Sequence, residues 1–364
     1  MFYGGELSTY KPSSPYSYGL TNANNAGIVS SKRVIDNVLS NNSGSIGTSL
    51  PPLLSAYIYK FDQNRPCYIG SQKEGNVAFY GILLSASLSP EISSYLTEKS
   101  KDGLWEYHDG FGVTLEDSLM VLDGLIDSGL NHKKIQFHLH RCIDKFYDVN
   151  TGLFVTLVNG RDRYWDGPSI HGTVQISYLI LKYCNNPNRI ICIEKILRYI
   201  KEEFTNDFVW KSRWFTNYHF TSFYVVRLLS YLQIDNQIVE LINRFYQHIF
   251  QTQLSCGSWD DSVISTSSII MALTKLPKLD NSYSLSELNN IIRNACKFLI
   301  DYKEKQVLAT EPILYYWYDT TLSENQFTKR FYHCIDSGKI ASALSTIALN
   351  SADQCISSKN NNSI

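Results

Sequence analysis

Apolar side chains recur at helical spacing along most of the chain, and the stretches that carry them are of two alternating kinds. Stretches 32–40, 91–101, 133–147, 190–204, 236–250 and 285–304 each carry one apolar stripe and one polar face, as outer helices do. Stretches 76–88, 115–126, 169–182, 219–232, 262–276 and 337–349 are apolar or small nearly all round, which suits helices buried on most sides. Six of each in strict alternation predict an all-α fold, an (α/α)6 barrel of six inner and six outer helices. An open α-solenoid would carry the same alternation. The pattern spans 31–351 as a single barrel domain, with an N-terminal extension over 1–30 and a flexible tail over 352–364. Pro51 and Pro52 open a segment to Phe61 that reads as one further helix. Residues 306–336 form a long connection of the kind that often carries function.

A repeat underlies the alternation. Asp102-Gly-Leu-Trp105, Thr151-Gly-Leu-Phe154, Asp207-Phe-Val-Trp210 and Cys256-Gly-Ser-Trp259 each end a small or acidic turn on an aromatic ring, in steps of 49, 56 and 49 residues. A near-constant period of this size marks repeated supersecondary units.

Composition changes the picture in two ways. Hydrophobic residues make up 44% of the 364 and charged residues 18%, which supplies a large interior and excludes disorder as the main state. Lys plus Arg number 33 against 34 Asp plus Glu, and no basic run offers a footprint for nucleic acid. No nucleic-acid partner is expected. No apolar run approaches a membrane span, so a soluble, cytoplasmic protein is expected. The eight cysteines form no CxxC pair and read as thiols. Aromatic residues reach 13%, with 25 Tyr, 17 Phe and 6 Trp.

In the fourth repeat, Gln253-Leu-Ser-Cys-Gly257-Ser-Trp259 has the form Q-x-x-x-G-x-W, with Arg244 and Ile249 upstream. This resembles the QW motif of squalene-hopene and oxidosqualene cyclases, and Trp105 and Trp210 sit in decayed copies of it. The chain resembles the class II terpene cyclase and protein prenyltransferase superfamily over roughly residues 60 to 350. The resemblance implies a terpene cyclase/prenyltransferase-like barrel. Its length leaves room for one barrel, as in single-barrel cyclases that fold a prenylated dihydroxybenzoate. It also implies metal-independent isomerase chemistry without a cofactor. The partner would be a hydrophobic prenylated small-molecule substrate, with transient membrane-surface contact for its uptake.

Family cyclases protonate an alkene with D-x-D-D-T. Here the corresponding place, at the start of an inner helix, reads Thr114-Leu115-Glu116-Asp117-Ser118, with Thr in place of the first Asp. Thr114 and Asp117 also have the spacing of a helix-capping box. An alkene-protonating acid must stay neutral near pH 7, which burial or a like-charged neighbour achieves and a helix N-terminus opposes. Asp109, in an aromatic loop before the helix, escapes that dipole. The catalytic candidates are therefore Asp109 and Glu116, with Asp117 assisting.

A carbocation also needs aromatic faces, each worth about 2 kcal/mol when desolvated. Trp165, Trp214, Tyr218, Phe220, Trp317 and Tyr332 lie in or beside the loops that lead into inner helices. His171, His219 and His333 lie near inner-helix starts, where a terminating base would be needed, and His171 and His219 join the substrate-binding set. Three rivals remain at this point. An (α/α)6 glycosidase or lyase would draw a carboxylate pair from Asp109, Asp166, Asp260 and Asp319. A zinc prenyltransferase-like barrel would need a Cys partner that is missing after the fourth turn. A non-catalytic interaction barrel needs none of these residues.

Overall fold

The computed structural model describes residues 56–57, 77–106, 112–158, 167–212, 215, 217–232, 235–275, 285–304, 312–314, 317–321, 328–332, 334–336 and 338–360. Over these residues the chain is mainly helical. Six helices form the inner ring: α1 (Val77–Ser87), α3 (Leu115–Asp127), α5 (Ile170–Tyr183), α7 (Tyr218–Leu229), α9 (Val263–Lys275) and α11 (Gly338–Asn360). Between them run the outer helices α2 (Pro90–Glu98), α4 (His132–Phe146), α6 (Ile193–Glu202), α8 (Asn236–Thr252) and α10 (Leu285–Glu304). The outer stretch 32–40 lies outside the described residues. Each inner helix packs on the next, and α11 packs back on α1. The ring closes, so the fold is the (α/α)6 barrel and not the open solenoid.

The burial pattern follows the sequence pattern. On α3 ten of thirteen residues are buried, while α8 buries one stripe, Ile238, Ile242, Phe245, Tyr246 and Ile249. The ring is tightest between α1 and α3. A Cβ added to Gly81 would lie 2.2 Å from the Met120 carbonyl oxygen, and one on Gly124 would lie 2.3 Å from that of Gly81. Only glycine lets two backbones approach this closely.

The repeated aromatic turn has a defined mechanical role. The indole Nε1–H of Trp105 donates to Leu96 O, that of Trp210 to Ile200 O and that of Trp259 to Ile249 O, at 2.7–2.8 Å. Each ring thereby satisfies a carbonyl of the preceding outer helix that lacks a helical partner. The backbone N–H of the same tryptophan donates to a hydroxyl in the first turns of the next inner helix: Ser118, Ser222 and Thr266. Phe154 N–H does the same with Thr173. In the fourth repeat Gln253 Nε2 donates to Gly257 O and Ile291 O, tying the turn to α10. Gly257 has φ +92°, and a Cβ there would meet Asn294 O at 2.3 Å.

Two expectations are corrected, and the 306–336 connection gains detail. Within 51–61, the described residues Ala56–Tyr57 are extended and pair antiparallel with Cys334–Ile335, because they add an edge to strands of the 306–336 connection. That connection holds strands itself: Pro312–Leu314 pairs with Cys334–Asp336, and Trp317–Thr321 with Thr328–Tyr332. Its Thr and aromatic residues suit a pleated surface. Finally, the last inner helix does not end near Leu349 but runs to Asn360 with Ala352 buried, since neither Gly nor Pro follows Gly338 to stop it.

Candidate active site

The starts of α3, α5, α7 and α9 meet at one end of the barrel. Leu115 N–H donates to Thr156 O, and Thr156 Oγ1 donates to Glu116 Oε1 at 2.9 Å. Glu116, the second residue of α3, is 5% exposed. Its carboxyl reaches the first turn of α5, where a Cβ on Gly172 would lie 3.2 Å from Glu116 Oε1 and 2.7 Å from Leu115 Cδ2. Glycine at 172 leaves room chiefly for the Leu115 side chain and, less tightly, for the Glu116 carboxyl. Thr114 is the N-cap of α3. Its hydroxyl accepts from Asp117 N–H and bonds the Asp117 carboxylate. Asp117, 8% exposed, is thus tied to the N-cap residue that the spacing predicted, but the reciprocal half of a capping box is not made, because the Thr114 N–H donates to Trp105 O. Asp109, the other candidate acid, lies outside the described residues.

His171 is the second residue of α5 and is fully buried. Its ring lies 4.5 Å from that of Phe215, 5.5 Å from Phe220 and 4.4 Å from Tyr224. Neither ring nitrogen makes a hydrogen bond of ordinary geometry, although the Gln175 side chain, one turn along α5, lies close enough to interact with the ring. Burial pushes its pKa down to about 3. Phe220 is buried beside it. Tyr218, 39% exposed, carries the Lys211 ammonium 4.8 Å from its ring centre. His219 faces the start of α9. Its Nε2 lies 3.2 Å from Asp260 Oδ2, which also accepts from Ser265 Oγ at 2.8 Å. Asp260 and Asp261 hold left-handed φ values of 56° and 51°, a strained backbone for non-glycine residues. Trp165 and Trp214 lie outside the described residues, as does His333. Trp317 and Tyr332 are direct cross-strand partners.

A second polar group, absent from the sequence reading, lies further along the inner ring. Arg227 on α7 grips Asp123 on α3 with two bonds, Nη1 to Oδ2 at 2.7 Å and Nη2 to Oδ1 at 2.9 Å. Gln175 Nε2 on α5 donates to the same Oδ2 at 2.7 Å, and the Arg227 guanidinium stacks 4.1 Å from the Tyr178 ring centre. Burial works against the Arg227 charge, but Asp123 outweighs it and holds the guanidinium protonated. Because α3 and α7 are not neighbours in the ring, the faces that carry these groups point to the barrel axis. On α3 that face includes Glu116, Met120 and Asp123; on α5, His171, Gln175 and Tyr178; on α7, Phe220, Tyr224 and Arg227. The available sequence signal was Arg227 itself, the one Lys, Arg, Asp or Glu in Tyr218–Leu229.

Among the described residues no group of three or more His, Cys, Asp or Glu is placed to hold a metal ion, and no helix is long and apolar enough to cross a membrane.

This closed double ring of helices is the fold of class II terpene cyclases, the fold implied by the QW-like turn at Gln253–Trp259. Among solved structures, a variant of the type II terpene cyclase MstE from Scytonema in complex with geranylgeranyl dihydroxybenzoate matches with TM-score 0.59 and 12% identity, covering 90% of this chain and 98% of that one. An MstE variant with merosterolic acid A matches with TM-score 0.60 at 13% identity, over 90% of this chain and 98% of that one. The ent-copalyl diphosphate synthase from Streptomyces platensis matches with TM-score 0.53 at 14% identity, over 76% of this chain and 50% of that one. At these identities the likeness establishes the fold. No protein-family model matches the sequence, and no curated protein matches it.

Proposed function

We propose that this chain is a class II, protonation-initiated terpene cyclase, an isomerase that converts a linear polyprenyl chain, carried on an aromatic acid, into fused rings. The observation that carries the reading is the buried Glu116 carboxyl at the start of an inner helix, held by Thr156 and lying against Gly172 of α5. Burial favours the protonated form of this carboxyl, against the opposing pull of the helix start and of the Thr156 hydroxyl. In that form it can deliver a proton to an alkene from which water is excluded. Asp117 is tied into the helix cap and assists by holding the first turn of α3, and Asp109 belongs to the same expected acid site. The rings of Phe215, Phe220 and Tyr224 supply apolar walls with negative faces for the cation that follows. Trp165, Trp214, Tyr218, Trp317, Tyr332 and His219 complete the proposed substrate-binding set.

Support for the substrate class comes from the structural relatives, one of which holds geranylgeranyl dihydroxybenzoate and another merosterolic acid A. The experiment is direct. Purified protein is given geranylgeranyl dihydroxybenzoate, geranylgeranyl diphosphate and squalene, and products are identified by mass spectrometry. A cyclic isomer of the first, absent with Glu116→Gln, is the expected result. No turnover of any of the three would overturn the reading.

A further inference from the structure

One side chain of the inner ring is placed against its own stability. A buried polar atom left without a partner costs about 1–3 kcal/mol, and neither ring nitrogen of His171 makes a hydrogen bond of ordinary geometry. Gln175, on the same face of α5, interacts with one side of the ring, which leaves the other nitrogen facing the aromatic box. A phenylalanine would fill the box formed by Phe215, Phe220 and Tyr224 without that cost. The next residue along, Gly172, lies against the Glu116 carboxyl, so the box adjoins the proposed acid.

We propose that His171 is the catalytic base that ends the cyclisation, an inference that rests on the cyclase reading above. A ring nitrogen takes a proton from a carbon next to the last carbocation. The electron pair of that C–H bond becomes the C=C of the product, and the imidazole becomes an imidazolium among three aromatic rings, whose faces offset its charge. The proton then passes to the carboxylate left behind when the acid protonated the substrate. One proton enters the substrate and one leaves, as an isomerisation requires.

The electrostatics fit both halves of the cycle. Burial keeps the imidazole neutral, with its pKa lowered to about 3, so the acceptor is empty when the cation arrives. Once protonated, it is a stronger acid than an ordinary glutamic acid of pKa about 4.3, so returning the proton is downhill.

The test reads which products form from the substrate that is consumed. Wild type, His171→Phe and His171→Gln are each given geranylgeranyl dihydroxybenzoate, and the products are separated and weighed. With His171→Phe, the share of the wild-type alkene should fall about a hundredfold. Alkene isomers and cyclic alcohols one water heavier should replace it. His171→Gln, which keeps a weak acceptor and hydrogen-bonding capacity, should give an intermediate distribution and guards against a folding defect in the first variant. An unchanged product distribution in either folded variant overturns the proposal while leaving the cyclase reading intact. A wild type that consumes none of the prenyl substrates overturns both.

Discussion

The two levels of the barrel axis treat polar groups in opposite ways. Around Asp123 and Arg227 the polar contacts are dense: two carboxylate oxygens, two guanidinium nitrogens, the Gln175 amide and the Tyr178 face interlock. Toward the inner-helix starts, His171 makes no hydrogen bond of ordinary geometry, has only Gln175 near its ring as a polar neighbour on α5, and sits among aromatic rings beside Glu116. The first arrangement spends its hydrogen-bonding capacity on joining helices that are not neighbours. The second holds that capacity in reserve, at a cost in stability, which is the trade expected where a ligand must be met.

Several changes would break or sharpen this contrast. The largest effect is expected from Glu116→Gln, which keeps size and hydrogen bonding to Thr156 but removes the proton. Product formation from geranylgeranyl dihydroxybenzoate should fall about a thousandfold with an unchanged circular dichroism spectrum. Arg227→Met should destabilise the fold by about 3–5 kcal/mol, because Asp123 is left as a buried, uncompensated charge. Denaturant unfolding would measure this, and the double variant Asp123→Leu/Arg227→Met should recover much of the loss. A double variant as unstable as Arg227→Met would mean that the pair, and not the orphaned charge, supplies the stability.

Gly257→Ala comes next, at about 3 kcal/mol, since the added Cβ meets the Asn294 backbone and φ is +92°. The pH dependence of stability separates the two levels most directly. His171 has a folded pKa of about 3 against an ordinary 6.5, so the unfolded chain binds a proton that the folded chain refuses. Its contribution is complete above about pH 6.5 and is lost as pH falls below that, by about 1.4 kcal/mol per unit, or roughly 2 kcal/mol at pH 5. His171→Phe should flatten that part of the acid limb, as thermal melts at pH 5 and 7.5 would detect. Trp259→Phe should cost about 1 kcal/mol for the lost bond to Ile249 O, plus a packing increment.

Much of the fold was legible in the chain. The helices follow from apolar spacing, and the repeat at Trp105, Phe154, Trp210 and Trp259 marks where each outer helix turns inward. The helix cap formed by Thr114 and Asp117 was legible for the same reason, since its bonds span three residues. The strands of 306–336 were not, because their pairing reaches Ala56–Tyr57, far away in sequence.

The sequence by itself determined what depends on near neighbours: which stretches are helices, which of them are buried, where the clamping tryptophans fall, and that Glu116 starts an inner helix. Tertiary structure alone decided that α11 closes onto α1, that Asp123 meets Arg227 from 104 residues away, and that His171 is boxed among Phe215, Phe220 and Tyr224. The physical reason is one of range. Helical period, caps and turns are set within a few residues, whereas the partner of a buried charge or imidazole is set by which faces the closed ring turns toward its axis.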